Sequence, residues 1–553
     1  MNARSRWTVF RMLIGFVLGV SSAHAGLGFS TPIAIEKGAA NDDVLDGGPR
    51  LETGGSGTWI ASWHKGDLKV ETDVVVSRSI DNGATWSEPT ALNADPDTDS
   101  VADYSIRTAT DGAGNWVAIW VVDLGFANNV ADASILVSRS NDDGASWAPP
   151  QVLSTQADIY STFALLFAAG TPLPWLTTDK EGNWLAAWRA SVPANASGDI
   201  DILTSLSTDN GATWSDPVNV SPANDDRDDG GPRIAATGTG RWMVLWNYWG
   251  FLVSEGLVTA RSNDNGQTWG PPKTIIEYAA GDNVRHNISR LDSDGAGHWI
   301  AVGDFAEWDF GGPIPVYTDD SDIFIIRSYD NGKTWTQPVP LNPDAGADHR
   351  NDAAPVLTTD GAGNWLVAWS SGDLAKRAPD AEVSACYSGD NGVMWSRVVP
   401  LNANAPVDRG NDLFPGIKTD GAGTWVAVWS SNNVLPGNTN DGDTDIHAAT
   451  STFTSGDNLI VLSPDGGERV KAGKRLTIDW LSIGDTGPRV NIDLLRNGAL
   501  VSAIKASAVN DGSFVWRVPP ETETGKGYKV RVESVSNASI DDASDLRFKV
   551  IAQ

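Results

Sequence analysis

The chain is short of cysteine and of long apolar runs, and each shortage excludes a class of protein. Cys386 is the only cysteine among 553 residues, so no intramolecular disulfide can form and stability must come from packing. We interpret Cys386, which lies within a repeated strand, as a small core residue rather than a nucleophile. No apolar run beyond residue 25 is long enough to span a bilayer, which argues against membrane insertion.

Positive charge is also scarce. Residues 1–25 are predicted to be a signal peptide, because Arg4, Arg6 and Arg11 precede an apolar run and a small-residue cleavage site. We therefore expect an exported protein, either secreted or periplasmic. Without these three arginines, 37 basic residues face 70 acidic ones, a formal charge of −33. Such a charge opposes binding to nucleic acid and docking on anionic lipid.

Tryptophan, in contrast, is abundant and periodic. Of the 25 tryptophans, 19 occupy three repeated positions. The first position ends the run Ser-x-Asp-x-Gly-x-Thr-Trp, which we call a box turn. The six box-turn aspartates are Asp81, Asp142, Asp209, Asp264, Asp330 and Asp390. In such a turn the carboxylate can accept backbone N–H groups, the glycine takes a positive φ, and the tryptophan packs into the sheet.

The other two positions belong to a second element, Gly-x-Trp-x-x-x-Trp. Its first tryptophans are Trp59, Trp116, Trp184, Trp242, Trp299, Trp365 and Trp425. Successive copies are 57, 68, 58, 57, 66 and 60 residues apart. A period near 60 residues with short alternating strands predicts a radial propeller of four-stranded blades.

Seven copies of this element accompany only six box turns, and the N-terminal segment accounts for the difference. Residues 29–35 match residues 86–92, the strand that follows a box turn. The seventh blade has a third strand at about residues 446–451 and no fourth. The N-terminal segment can complete that blade and hide two exposed edges. We therefore predict an all-β chain with a seven-bladed β-propeller over residues 26–453, closed by an N-terminal strand.

The six box turns resemble the Asp-box (bacterial neuraminidase) repeats of sialidases and related propellers, over roughly residues 29–452. The resemblance implies a glycan-directed protein and, if it is catalytic, a glycoside hydrolase of the exo-α-sialidase type. Sialidases clamp a carboxylate with three inner-strand arginines and use a Tyr–Glu nucleophile pair with an Asp acid/base. The family's Arg-Ile-Pro motif and its late inner-strand tyrosine are absent from this sequence.

The C-terminal segment differs from the rest. After a linker at residues 454–457 the tryptophan repeat stops, and residues 458–553 alternate as the half-buried strands of a small β-sandwich. The segment, with its opening run Leu462 to Glu468, resembles the immunoglobulin-like module of the yeast cell-wall-synthesis (Kre/Knh) type. The resemblance implies a spacer or adhesion module without catalytic groups.

A ligand site is expected on the propeller face that carries the variable connections, over the central channel. Nine residues before a Gly-x-Trp tryptophan lie Arg50, Arg107, Arg233 and Arg290, and thirteen before lie Asp46, Asp103, Asp229 and His286. Two interpretations stay open. These groups bind an anionic ligand, for which the planar guanidinium is suited, or the aspartates cap strands and the arginines pair between blades.

Blade 5 departs most from the repeat. Gly303 replaces the second tryptophan, and an aromatic connection follows. Its candidate catalytic residues are Glu307, Asp309 and Tyr317, with Trp308 as a candidate ligand-binding residue. Carboxylates beside aromatic rings suit a sugar site; the alternative is an ordinary packed loop.

One acidic run is a candidate metal site. Asp441, Asp443 and Asp445 alternate, a pattern that suits Ca²⁺, although the run does not match a full EF-hand loop and a solvated turn is the favoured interpretation. No zinc spacing, phosphate-binding loop or nucleophile elbow is present. We expect a monomer that needs no cofactor, with Ca²⁺ as the one candidate ion. Its expected partner is a glycan or glycoconjugate; alternatively the chain is a non-catalytic scaffold that binds a protein.

Overall fold

The computed structural model consists of β-strands and their connections wherever it describes the chain. The described residues are 29–36, 45–67, 71–93, 102–127, 130–157, 174–191, 200–221, 227–236, 238–249, 255–278, 284–309, 316–317, 321–341, 350–373, 381–393, 395–396, 398–401, 410–432, 444–452, 458–464, 468–483, 486–544 and 547–552. All 38 elements in these ranges are strands, which confirms the all-β prediction. Over the same ranges no helix is long and apolar enough to cross a membrane.

The chain divides into two compact units. The first draws on Gly26–Tyr278 and Asn283–Ser455, and the second on Gly456–Gln553. Each unit has its own hydrophobic clusters.

The first unit begins with a short strand, β1 (Ile33–Ala34), and continues with seven repeats of strands. Repeat 1 comprises β2 (Asp46–Gly55), β3 (Thr58–Asp67), β4 (Glu71–Ser79) and β5 (Thr90–Ala91). Repeat 2 comprises β6 (Ala102–Thr110), β7 (Trp116–Ala127), β8 (Val130–Ser140) and β9 (Gln151–Ala157). Repeat 3 comprises β10 (Trp175–Thr178), β11 (Trp184–Ser191), β12 (Ile200–Ser207) and β13 (Val218–Asn219). Repeat 4 comprises β14 (Asp228–Ala236), β15 (Trp242–Trp249), β16 (Glu255–Ser262) and β17 (Lys273–Tyr278).

The remaining repeats follow the same order. Repeat 5 comprises β18 (Val284–Ser293), β19 (Trp299–Asp309), β20 (Val316–Tyr317), β21 (Asp322–Ser328) and β22 (Val339–Pro340). Repeat 6 comprises β23 (Arg350–Thr359), β24 (Trp365–Asp373), β25 (Glu382–Ser388) and β26 (Val399–Pro400). Repeat 7 comprises β27 (Asp412–Thr419), β28 (Thr424–Ser431) and β29 (Asp445–Thr452).

Within every repeat, successive strands pair antiparallel in chain order, except that β20 pairs only with β19. A single parallel pair, Thr72 with Ala102, joins repeats 1 and 2 into one eight-stranded sheet. The N-terminal strand β1 pairs antiparallel with β29, so that Ile33 lies opposite Ala448 and Ala34 opposite His447. The sheet of repeat 7 therefore has the order β1-β29-β28-β27.

The core lies between neighbouring sheets, and tryptophan fills it. Both tryptophans of the Gly-x-Trp-x-x-x-Trp element are almost completely buried wherever they occur. In one cluster Val117 and Ile119 of repeat 2 pack with Trp184 and Trp188 of repeat 3. Successive side chains of a strand point to opposite faces of its sheet, and in the second strand of each repeat both faces carry apolar side chains. Such a strand suits a sheet that packs on both sides.

The box turns lie at one end of the sheets. Asp81 accepts the Thr85 backbone N–H at 2.8 Å and the Thr85 hydroxyl at 2.6 Å, and Gly83 has a φ of 79°. The neighbouring Asn82 N–H donates to the Gly57 carbonyl, in the turn between β2 and β3, at 3.2 Å. Because these two turns lie side by side, the longer connections between strands fall at the opposite end.

The second unit is a small sandwich of two sheets. Its strands are β30 (Asn458–Ser463), β31 (Arg469–Lys471), β32 (Arg475–Ile483), β33 (Arg489–Arg496), β34 (Ala499–Val509), β35 (Ser513–Arg517), β36 (Gly525–Ser534), β37 (Asp541–Ala543) and β38 (Phe548–Ile551). One sheet has the order β30-β32-β35, and the other has β31-β38-β36-β33-β34 with β37 beside β36. Trp480, Trp516 and Tyr528 pack into one buried cluster that both sheets supply.

Candidate functional site

The candidate site is formed by the first strands of repeats 1, 2, 4 and 5. In each of these strands a register irregularity comes just before an arginine, between Gly47 and Arg50 in β2 and at the matching places of β6, β14 and β18. A bulge bends the strand and re-aims the side chain that follows it. The local backbone therefore sets the direction of Arg50, Arg107, Arg233 and Arg290.

Each of the four guanidinium groups is bonded to backbone rather than to a carboxylate. The Nη1 atoms donate to the carbonyl oxygen of the preceding residue at 2.8 Å in Arg50 and Arg290, and at 2.9 Å in Arg107 and Arg233. Arg233 also donates its Nε to the Ser289 carbonyl of repeat 5 at 2.6 Å. Among the described residues none of the four pairs with a carboxylate.

Three of the arginines converge on one indole. The guanidinium carbons of Arg107, Arg233 and Arg290 lie 5.1, 4.7 and 4.9 Å from the ring centroid of Trp175. Trp175 stands in β10 at the repeat position that carries arginine in four of the six other repeats. The negative face of the ring offsets part of the positive charge around it.

The charge of the four arginines is poorly compensated. Burial lowers the pKa of Arg50 to about 10, and burial together with the charge of Arg50 lowers the pKa of Arg233 to about 9. The pKa values of Arg107 and Arg290 are lowered by burial and by the other arginines. In the described part of the chain, Arg50 Nε and both Nε and Nη2 of Arg107 are buried without a hydrogen-bond acceptor. The cluster therefore favours an added anion.

The aspartates predicted beside the arginines serve their own repeats. Three of them accept a hydrogen bond from the second tryptophan of the same repeat at 2.8–2.9 Å, the pairs being Asp46 with Trp63, Asp103 with Trp120 and Asp229 with Trp246. All three aspartates are at most 2% exposed. These bonds anchor the start of the first strand in each of the three repeats.

Asp304 is a carboxyl that the sequence did not single out as a site residue. It lies in β19, where the Asn287 amide donates to its Oδ2 at 3.4 Å. Burial raises its pKa to about 6, while bonds from Asn287 and Ser289 and the charge of Arg233 work in the opposite direction. This carboxyl therefore changes its charge in the mildly acidic range, beside the arginines.

Gly303, just before Asp304, stands where the other repeats carry their second tryptophan, and there is a steric reason for the glycine. A Cβ at Gly303 would collide with the Asn287 carbonyl oxygen and lie 2.8 Å from Phe324 Cε1. Phe324 is buried and packs edge-to-face with Phe305, so phenyl rings fill the core where other repeats use an indole.

A second charged layer lies two residues further along the first strands. Lys418 Nζ of β27 is 3.2 Å from Glu52 Oε1 of β2. Asp292 of β18 adds a second carboxylate that acts on the same lysine. Burial raises the pKa of both Glu52 and Asp292. His64, in β3 beside Arg50, has its pKa lowered to about 4 by burial and by that arginine, so it is neutral above pH 5.

Several predicted site residues lie outside what the structure describes. The side chains of His286, Glu307, Trp308, Asp309 and Tyr317 are not described, nor are Asp441 and Asp443. The backbone does correct the extent of the aromatic connection. Strand β19 continues through Asp309, and its Trp308 lies opposite Tyr317 of β20, so the first part of the connection is a hairpin rather than a loop.

The described residues do not test the predicted metal site. Asp445 lies in β29 and is buried, while the other two aspartates of that run are outside the described residues. Where side chains are described, no group of three or more His, Cys, Asp or Glu residues could hold a metal ion.

The repeat alignment carried signals for the groups that were missed. Trp175 occupies the arginine position of repeat 3, and Glu52, Asp292 and Lys418 all stand two places after that position. Asp304 directly follows the glycine that breaks the tryptophan pattern. Reading every repeat at these positions would have found all five.

One family model matches the chain, in its second unit. Residues 463–550 match the Kre9/KNH-like N-terminal Ig-like domain. This confirms the predicted resemblance of the C-terminal segment. No curated protein matches the sequence.

Sialidases and an arabinanase are among the structural neighbours. An α-L-arabinanase from Penicillium chrysogenum, complexed with arabinobiose, is 13% identical at a TM-score of 0.37, covering 77% of this chain and 98% of its own. Trypanosoma rangeli sialidase with sialic acid is 12% identical at a TM-score of 0.39, covering 79% and 59%. NanB sialidase from Streptococcus pneumoniae is 13% identical at a TM-score of 0.38, covering 76% and 70%.

Proposed function

We propose that the first unit binds an acidic glycan, and that Arg50, Arg107, Arg233 and Arg290 hold an anionic group of the sugar. The observation that carries the proposal is the convergence of the Arg107, Arg233 and Arg290 guanidinium groups on Trp175, without a carboxylate partner among the described residues. Guanidinium forks match carboxylate and sulfate geometry and form short, charge-assisted hydrogen bonds.

A purely constructional role explains the arginines less well. Uncompensated buried charge is costly, and construction would favour a carboxylate beside each arginine. Where the structure describes side chains, Arg233 is the one site arginine that donates a hydrogen bond to a neighbouring repeat, through the Ser289 carbonyl. The other three Nη1 bonds return to the arginine's own strand and connect nothing.

The proposal includes a closed, seven-bladed ring in which the seven repeats are blades and β1 completes the last one. Two contacts between repeats 7 and 1 support it, because each repeats a contact between repeats 1 and 2. The Thr444 hydroxyl donates to the Asp46 carbonyl at 2.9 Å, as the Thr72 hydroxyl does to the Asp103 carbonyl at 2.8 Å. In a ring the four arginines face one axial channel.

The box-turn glycines repeat a second contact around the same ring. Gly83 of repeat 1 packs against Val426 of repeat 7, as Gly144 of repeat 2 packs against Ile60 of repeat 1. Deleting residues 26–36 removes β1 and the buried Phe29 and Ile35, so we expect the first unit to lose most of its stability. Thermal unfolding of the shortened chain measures this, and an unchanged midpoint would exclude closure by β1.

Hydrolysis is a second candidate function, and Asp304 favours it. Glycoside hydrolysis needs a carboxyl that carries a proton near the working pH, as a buried carboxyl with a raised pKa does. Asp304 has a pKa of about 6 and lies close enough to Arg233 to feel its charge. Release of a fluorophore from a panel of acidic glycosides, with Asp304→Asn as the inactive variant, tests the catalytic form of the proposal.

A binding titration tests the proposed function itself. The mature protein is titrated with acidic and neutral glycans from an array, together with Arg233→Ala and the control Arg139→Ala. Arg139 is an exposed arginine of the same unit, on β8. We expect Arg233→Ala alone to weaken binding of acidic glycans. Equal affinity of both variants for every acidic glycan would reject the proposal and leave the protein-binding scaffold.

A further inference from the structure

The larger sheet of the second unit carries a row of cations on its outer face. Arg469 of β31 lies directly opposite Lys549 of β38, and Lys549 lies directly opposite Lys526 of β36. Directly opposed residues point to the same face of a sheet, on strands about 4.8 Å apart. We call these three residues the cation row. Lys471 extends it on the same face, two residues after Arg469.

The cation row is accessible and has no counter-charge. Arg469, Lys471 and Lys526 are exposed, and Lys549 is half-buried. In the part of the second unit that the structure describes, none of these four side chains forms a hydrogen bond or an ion pair. Like charges that are directly opposite each other on paired strands destabilise a sheet. The row therefore lowers the stability of the sheet, and a bound anion would relieve the repulsion.

The other end of the same face is built differently. Arg531, also on β36, has its Nη2 atom 2.7 Å from Asp493 Oδ2 and 3.5 Å from Glu533 Oε2. One strand thus carries a cation with two carboxylate partners and, at Lys526, a cation with none among the described residues. A constructional role explains the first arrangement and not the second.

The two units also differ in their overall charge. Residues 458–553 contain 13 basic and 12 acidic residues, whereas residues 26–457 contain 24 basic and 58 acidic ones. An anionic partner is therefore repelled far less by the second unit than by the first. A broad anionic surface such as a membrane would act on both units, whereas a thin polymer chain can bind the cation row alone.

We propose that the cation row is a docking surface for an extended acidic polysaccharide that carries a carboxylate on successive sugar units. Lysine ammonium groups act as point charges on flexible stems and require no fixed geometry, so they suit a polymer of repeated charges better than one precisely oriented group. The row lies on a sheet face in the second unit, separate from the arginines of the first. The proposal therefore does not rest on the proposed function.

A polymer and its uncharged form test the proposal. The mature protein with Arg233→Ala, which weakens the first-unit site, is titrated with polygalacturonate and with its methyl ester at constant ionic strength. Lys526→Gln with Lys549→Gln removes two charges of the row. The control, Lys505→Gln with Arg139→Gln, removes two exposed charges on β34 and β8. We expect the row variant to bind polygalacturonate about ten-fold more weakly, and the control and the parent to bind it equally.

Two further measurements make the result decisive. Urea unfolding should show an unchanged or higher midpoint for the row variant, because opposed like charges are removed. A lower midpoint would assign the row to construction and overturn the proposal. Equal affinity of the row variant and the control for polygalacturonate, or equal affinity of the parent for polymer and ester, would also overturn it. Tighter binding to phosphatidylglycerol vesicles than to polygalacturonate would assign the row to a membrane instead.

Discussion

Two sets of charged residues recur along the first unit, the box-turn aspartates and the site arginines, and they differ in how fully the protein satisfies their hydrogen bonds. The box-turn aspartates are saturated: Asp142 accepts the hydroxyls of Ser146 and Ser140 and the Ser146 N–H, which together lower its pKa to about 2. The arginines of the site have their pKa values lowered, and Arg107 has two buried nitrogens without an acceptor in the described residues. The ionised forms of Asp81, Asp142, Asp209, Asp264 and Asp330 are stabilised by their surroundings, and the charged form of each site arginine is destabilised.

The comparison separates construction from function within one repeat. A group that recurs because it builds the fold has its hydrogen-bonding atoms occupied by the protein itself, as the Asp142 carboxylate does. A group that recurs because it binds a ligand has donor or acceptor atoms that the protein itself leaves without a hydrogen bond. Recurrence alone therefore does not show which role a residue has, and the bonds around it do.

The largest expected effect concerns Arg107. Replacing it with Met removes a charge-assisted contact to the ligand, so affinity for an acidic glycan should fall roughly 100-fold. The free energy of unfolding should rise by about 1 kcal/mol or more, because an unpaired buried charge is lost. Calorimetric titration and urea unfolding measure the two quantities. A variant that is destabilised and binds normally would assign Arg107 to construction.

Asp81 should behave in the opposite way. Asp81→Ala leaves the Thr85 N–H and hydroxyl without their acceptor, so the free energy of unfolding should fall by about 1–3 kcal/mol. Ligand affinity of the folded protein should be unchanged, because the box turn lies at the other end of the sheet. Urea unfolding and titration of the same sample check both statements. If affinity fell while stability held, the box turns would belong to the site.

A smaller effect depends on pH and on Asp304. Its pKa of about 6 means that lowering the pH through 6 removes a negative charge beside Arg233, and affinity for an anion should rise by roughly five- to ten-fold. Asp304→Asn should bind with little pH dependence over the same range. Titrations at pH 5 and pH 7.5 measure the change, with a sulfated ligand whose own charge is constant. The same slope in both variants would assign the effect to another group.

The free energy of unfolding is a poorer reporter of the Asp304 titration, because Asp304 and two histidines change it in opposite directions as the pH falls. Asp304 has a raised pKa in the folded state, so its contribution to the free energy of unfolding increases as the pH falls from about 6 towards 4. His64 and His447 have pKa values lowered to about 4, so their contributions decrease as the pH falls from about 6.5 towards 4. Affinity above pH 5 is free of the two histidines, since both stay neutral there. The comparison with Asp304→Asn then separates Asp304 from Glu52 and Asp292, whose pKa values are also raised.

The sequence predicts the fold class well, because its signals are periodic and local. Spacing of tryptophan and glycine identifies the strands and their turns, and alternation identifies the C-terminal sandwich. The site is harder to predict. The alignment places Arg107 and Arg233 at one repeat position, but their convergence depends on strand bulges and on how far the indole of Trp175 reaches across. No one-dimensional pattern records those distances.

The aspartate prediction shows the same limit. Asp46 and Arg50 are close in sequence and opposite in charge, which suggests pairing, yet the Asp46 carboxylate bonds to Trp63. These bonded partners are 17 residues apart in sequence, and antiparallel pairing of β2 with β3 brings them together. Asp304 was missed for a related reason. The sequence analysis placed a connection directly after Gly303, whereas strand β19 continues there and carries Asp304.

The bond from each Nη1 to the carbonyl before it has a thermodynamic consequence. A side chain tied to its own backbone has already given up most of its rotamer freedom before any ligand arrives. Ordering a long side chain on binding costs about 0.5–1.5 kcal/mol, so four tethered arginines spare the complex several such penalties. The ordering entropy is spent when the strands fold. Binding at this site should therefore show a small entropic penalty from the protein and a short search for the bound geometry.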